Sequence, residues 1–231
     1  MGLGKPFLED LIALKRGGAL DNCRRVIEIG AQQIADSLIL APELADAIKL
    51  FNGRDLHLEP VGAQNFSGHA PPGRLLWQAI GMQSRSLDLV GGDLRIDLNR
   101  GRVPFRYRRH FDLAVNAGTT EHVANQGNAF AVIHGLIRKG GMMYHIVPSA
   151  GHVDHGFFGY QPKFFHRLAA ANDYETVHFA MVDKGLEQIP SYIHDDNAKV
   201  GLRMSHKVAR ANLRIALRKR HDRPFKFPMD G

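Results

Sequence analysis

The feature that most limits what this chain can fold into is an alternation: short apolar runs that close on a glycine or polar residue, separated by longer segments with helical spacing. The first run, Arg25-Val26-Ile27-Glu28-Ile29-Gly30, is β-branched and stops at a glycine, as a buried strand does where it opens into a loop. A helix is expected over about 34–50, and further strands over 86–90, 94–98 and 111–116. Over 129–138, Ala129, Val132, Ile133, Leu136 and Ile137 recur at helical spacing, Gly140-Gly141 should stop that helix, and a strand follows over 142–147. A helix over 162–171 and strands over 175–182 and 213–217 complete the series. Strands alternating with helices predict the α/β class, here a doubly wound, mostly parallel sheet of seven strands with ligands at the carboxyl ends of the strands.

With 231 residues, 44% of them hydrophobic, the chain can bury the core of one large α/β domain. One domain over 1–231 is therefore expected. Gly53, Pro60, Gly62, Gly68, Pro71, Pro72 and Gly73 break up the stretch at about 51–84, which reads as an insertion or lid, partly helical around 75–80. No run approaches the ~20 apolar residues that cross a bilayer, and no charged leader with an apolar stretch opens the chain, so a cytoplasmic protein without a membrane partner is expected. Cys23 stands alone, which excludes an internal disulfide and a cysteine-rich metal site.

Thirty Lys and Arg against 23 Asp and Glu leave a net charge of +7, concentrated at Arg100, Arg102, Arg106, Arg108 and Arg109 and again over 203–223. No nucleic-acid motif accompanies this charge. It reads as a solvated basic face, with the arginines of 211–218 turned to solvent, and a nucleic-acid partner is not expected.

In a sheet of this kind the first strand-to-helix turn must admit a ligand close to the backbone, which suits Gly30 because it has no side chain. Asp88 falls near the end of the second strand, where a carboxylate can accept both hydroxyls of a ribose. Asp97 and Asn116 close the next two strands in the same way.

These residues resemble the class I S-adenosylmethionine-dependent methyltransferases. Val26-Ile27-Glu28-Ile29-Gly30 looks like the family's first motif, and Ser86-Leu87-Asp88-Leu89 like its second. Asp97-Leu98-Asn99 resembles the stretch that borders the adenine. Val103-Pro104-Phe105 with Phe111-Asp112-Leu113-Ala114-Val115 is similar to the approach to the fourth strand, and Thr120-Glu121-His122-Val123 and Leu136-Ile137-Arg138-Lys139-Gly140-Gly141 continue the order. The resemblance implies a methyltransferase with S-adenosylmethionine over Glu28, Gly30, Ala31, Asp88, Asp97, Leu98 and Asn116. The acceptor implied is a small molecule, a sugar or a peptide.

The loop Pro148-Ser149-Ala150-Gly151-His152-Val153-Asp154-His155-Gly156 lies where the family places its acceptor. A histidine there titrates near neutral pH and can take a proton as the methyl arrives, which makes His152 and His155 the candidate bases. Glu121, His122 and Tyr160 are the candidate acceptor contacts. Some members bind Mg²⁺ near Glu121 through two glutamates and a histidine, but the residue three before Glu121 is Gly118, so no metal is expected.

The family's first loop usually holds two or three glycines, whereas here Ala31-Gln32-Gln33 follows Gly30. That depletion motivates an alternative, a non-catalytic binding or scaffold protein on the same fold. A nicotinamide-dependent oxidoreductase would need the dinucleotide-binding glycine fingerprint, which Gly30-Ala31-Gln32 lacks.

Overall fold

A computed structural model describes residues 2–53, 70–183 and 210–230. Its elements are α1 (Lys5–Arg16), β1 (Arg25–Ile29), α2 (Asp36–Ile39), α3 (Glu43–Asn52), α4 (Arg74–Ala79), β2 (Gln83–Leu87), β3 (Phe111–Ala117), α5 (Gln126–Leu136), β4 (Ile137–Pro148), α6 (Pro162–Asn172), β5 (Tyr174–Asp183) and β6 (Ala211–Lys219). Six strands form one sheet in the order β2-β1-β3-β4-β6-β5. The pairs β1–β2, β1–β3 and β3–β4 are parallel, while β6 runs antiparallel to both β4 and β5. The chain is thus a doubly wound, Rossmann-like α/β fold whose strand order reverses beside β1.

Side chains of period two divide between two apolar layers. Val26, Leu113, Val115, Met142, Tyr144 and Ile146 face α1, α3 and α4, where Phe7, Ile48 and Trp77 are fully or almost fully buried. Ile27, Ile29, Ala114, Met143 and Val147 face α5 and α6, meeting Phe130, Ile133 and Phe165. Burial of both faces explains why β3 is buried at all seven positions and reads as a continuous apolar run.

Several sequence expectations change. The helix expected over 34–50 is two helices, α2 and α3, because Pro42 has no N–H to continue the first. The second strand is β2 at 83–87, earlier than the expected 86–90, and Asp88 lies just past its end. No strand forms over 94–98: only Leu94 bridges Leu87, giving six described strands where seven were expected. The reason is local. Asp97 accepts the Asn99 N–H (2.9 Å) and its carbonyl accepts the Gly101 N–H (2.6 Å), so the segment closes on itself as a turn. Helix α5 ends at Leu136, ahead of Gly140-Gly141, because Ile137 already pairs with Phe111 in the sheet.

α1, which precedes every element expected from the sequence, covers one end of the α3–α4 layer. The arginines of β6 do not all face solvent: Arg214 is 5% exposed, lies 3.3 Å from Asp10 on α1 and donates to the Pro6 carbonyl at 3.0 Å. Asp10 also accepts the Tyr144 hydroxyl. Within the expected lid at about 51–84, positions 54–69 lie outside the described residues, the helical portion is α4, and the last two positions already belong to β2.

Candidate functional site

Because β1, β2, β3 and β4 are parallel, their carboxyl ends form one rim, which carries Gly30, Asp88, Asn116 and the 149–160 loop. The strand order reverses at β1, and the crevice at such a point is where open α/β sheets bind ligands. Gly30 leaves β1 with φ +80°, a left-handed conformation that suits glycine, and donates to the Leu87 carbonyl at 2.7 Å. A Cβ there would lie 2.3 Å from Thr119 Oγ1. Thr119 donates that hydroxyl to the Ile29 carbonyl at 2.6 Å, so the glycine makes room for a threonine of the next rim loop.

Asp88 stands half-buried beside this turn. One carboxylate oxygen accepts the Ala31 N–H at 2.9 Å and the other accepts the Val90 N–H at 3.2 Å. Leu89 and Val90, exposed by 63% and 82%, follow it as an apolar ledge. Gly30, Ala31 and Asp88 are therefore contiguous, as a cofactor edge requires.

Glu28 points the other way. It is 4% exposed and accepts from Trp77 Nε1 at 2.7 Å and from the Gln32 N–H at 3.2 Å. Burial pushes its carboxyl up to about 7, while those two hydrogen bonds pull it down. Glu28 thus holds the turn from beneath and fastens it to α4. A Cβ on Gly73 would fall 2.1 Å from Glu28 Oε1, so a side chain there would displace the carboxylate that Trp77 holds.

Asn116 is fully buried. Its amide donates to Thr120 Oγ1 (2.8 Å) and approaches His145 Nδ1 (3.2 Å), and its carbonyl oxygen accepts the Thr120 N–H (3.2 Å). Burial drops His145 to about 3, so the ring is neutral, Nδ1 accepts from Asn116 and the proton sits on Nε2. Asp97 and Leu98 lie apart from this group: Leu98 packs in the α5–α6 layer, and its carbonyl accepts from Asn128 Nδ2 at 2.9 Å. The Asp97–Asn99 turn is thereby fastened to the start of α5, where Asn125 also bonds Asn99.

At the other end of the rim the 149–160 loop folds down onto the turn at 120–122. Phe157 and Phe158 both donate their N–H groups to the Glu121 carbonyl, at 2.8 and 3.2 Å. Tyr160 is 4% exposed and its hydroxyl bonds Thr120 Oγ1 (2.9 Å) and Gln126 Oε1 (2.5 Å). Both bonds face the interior, so Tyr160 braces the loop. This fold-back brings His155 Nε2 to 3.5 Å from Glu121 Oε1 and sets the His155 ring 5.3 Å from His122 and 5.6 Å from His152. Glu121 is 0% exposed, and burial pushes its carboxyl up to about 7.

Of the candidate residues, then, the structure joins Gly30, Ala31 and Asp88 in one group and Glu121, His122, His152 and His155 in another. Thr119, Gln126 and Trp77, which position these groups, carried no signal of their own in the sequence, and Thr120 stood out only within the Thr120-Glu121-His122-Val123 stretch. The basic residues Arg102, Arg106, Arg108 and Arg109 gather with Lys219 and Arg223 around a cleft at the amino-terminal rim, away from both groups.

No protein-family profile matches the chain, and no curated sequence does. Among solved structures, the chain resembles a Burkholderia thailandensis 1,6-didemethyltoxoflavin-N1-methyltransferase with bound 1,6-didemethyltoxoflavin and S-adenosylhomocysteine, at 14% identity over 93% of this chain and 87% of that one, with a TM-score of 0.47. An Archaeoglobus fulgidus SAM-dependent methyltransferase gives 11% identity over 90% and 92%, with a TM-score of 0.45. The trans-methyltransferase CalH in complex with SAH gives 11% over 92% and 55%, with a TM-score of 0.43.

Proposed function

We propose that this chain is a methyltransferase that uses S-adenosylmethionine and acts on a small-molecule, sugar or peptide acceptor. The observation that carries this reading is the contiguity of Asp88 with the Gly30–Ala31 turn at the strand-order reversal, 2.9 Å apart through the Ala31 N–H. A carboxylate there can exchange its backbone partner for the two ribose hydroxyls, while Leu89 and Val90 offer apolar contact to a purine. The acceptor lies over the 149–160 loop. Methyl transfer from a sulfonium is an in-line displacement, so alignment of donor and acceptor provides most of the rate, and His152 or His155 would take the acceptor's proton.

A second reading, a binding or scaffold protein, rests on Gly30, whose open side is filled by Thr119 of the chain itself. Calorimetry with S-adenosylhomocysteine separates the two. The methyltransferase reading expects binding at micromolar concentrations and at least ~10-fold weaker binding by Asp88→Ala, the loss of about 1.4 kcal/mol. Absence of heat at millimolar ligand favours the scaffold.

A further inference from the structure

We infer that Glu121, His122 and His155 form a binding site for one divalent transition-metal ion. Each offers a ligand atom, and these atoms lie within 4.8 Å of one another. Donors around a tetrahedral ion with bonds near 2.1 Å sit about 3.4 Å apart, and the Glu121 Oε1 to His155 Nε2 separation is already 3.5 Å. His122 is exposed, so rotation of its ring can close the other two edges.

Two independent features make this more than a surface cluster. Glu121 is 0% exposed, yet neither carboxylate oxygen has a hydrogen-bond partner among the described residues. A buried carboxylate without donors is costly, and a cation supplies what is missing. Its surroundings are also built to bring His155 close. Gly156 packs where a Cβ would stand 3.0 Å from the Glu121 carbonyl and 3.2 Å from His122 Nδ1, tighter than side-chain carbons normally pack, so glycine lets the loop settle here without displacing either group. Asp154 takes a left-handed φ of +56° immediately before His155, and the Phe157 and Phe158 N–H groups pin the loop beyond it.

One carboxylate and two imidazoles suit Zn²⁺, Co²⁺, Fe²⁺ or Mn²⁺, whereas Mg²⁺ and Ca²⁺ favour oxygen ligands. Three protein ligands leave a position open. On the methyltransferase reading, that position would take an oxygen of the acceptor and orient it beside His152; ion binding itself does not depend on that reading.

The test is a Co²⁺ titration of tag-free protein without S-adenosylmethionine, followed by visible absorption and calorimetry. One equivalent should bind with a d–d spectrum typical of nitrogen and oxygen ligands, be displaced by Zn²⁺ and be unaffected by millimolar Mg²⁺. Glu121→Gln and His155→Ala should each weaken binding at least ~10-fold while circular dichroism without metal keeps the parent shape; His155 is part-exposed, so its loss also leaves the melting temperature at the parent value, whereas Glu121→Gln removes a buried charge and shifts it. No binding at millimolar Co²⁺, or binding that both variants retain, overturns the inference. S-adenosylhomocysteine binding by the metal-free protein is measured separately, so either claim can fail alone.

Discussion

Replacing Glu28 with glutamine should change the pH dependence of stability in a direction set by burial. The carboxyl is raised from an ordinary 4.5 to about 7 in the folded protein. The native state therefore holds a proton that the unfolded chain releases over this range. Stability from the protonated form is complete below the unfolded value and is lost as pH rises through about 7. The rise from 4.5 to about 7 corresponds to ~3 kcal/mol in full, of which about 2.5 kcal/mol falls between pH 5 and pH 9. Glu28→Gln cannot ionise, but it turns an amide N–H₂ toward the Gln32 N–H that the carboxylate now accepts, which costs about 1 kcal/mol at any pH. Urea unfolding of parent and variant at a series of pH values gives the difference at each, and every other titrating group cancels. The variant should be the less stable at pH 5 and gain on the parent by about 2.5 kcal/mol by pH 9. A difference that stays constant across this range would refute the claim that Glu28 is raised by burial.

Two further expectations concern the rim. Gly30→Ala should cost at least ~2 kcal/mol, from the left-handed φ of +80° and the 2.3 Å approach to Thr119 Oγ1, and Thr119→Ala in the same chain should recover part of it. A double-mutant cycle by urea unfolding measures the coupling, and zero coupling would show that the two do not meet. Tyr160→Phe should cost about 1–2 kcal/mol, because Thr120 and Gln126 lose a buried partner. An unchanged melting temperature would place that hydroxyl in water.

The strands that the sequence revealed are those whose neighbours impose nothing unusual. β1 and β3 are buried on both faces, and an uninterrupted apolar run is enough to mark them. The 94–98 segment has the same local composition, but the Asp97 carboxylate and carbonyl accept the Asn99 and Gly101 N–H groups within four residues, and a turn wins. Strand-end position marked Asn116 as a ligand contact, and the family resemblance added Glu28. Their inward partners, Trp77 and His145, come from elements 49 and 29 residues away, beyond what a local pattern carries. Glu121-His122 was visible as a pair, whereas the arrival of His155 depends on the Gly156 fold-back, which only tertiary structure reveals.

The ion pair between Asp10 and Arg214 has a consequence for the order of assembly. α1 buries a carboxylate whose cation arrives on β6, 204 positions later along the chain. Until β6 docks, this carboxylate lacks its cation and α1 cannot settle fully on the sheet, because a buried charge without its partner is strongly destabilising. β6 thus acts as the latch that completes that side of the molecule.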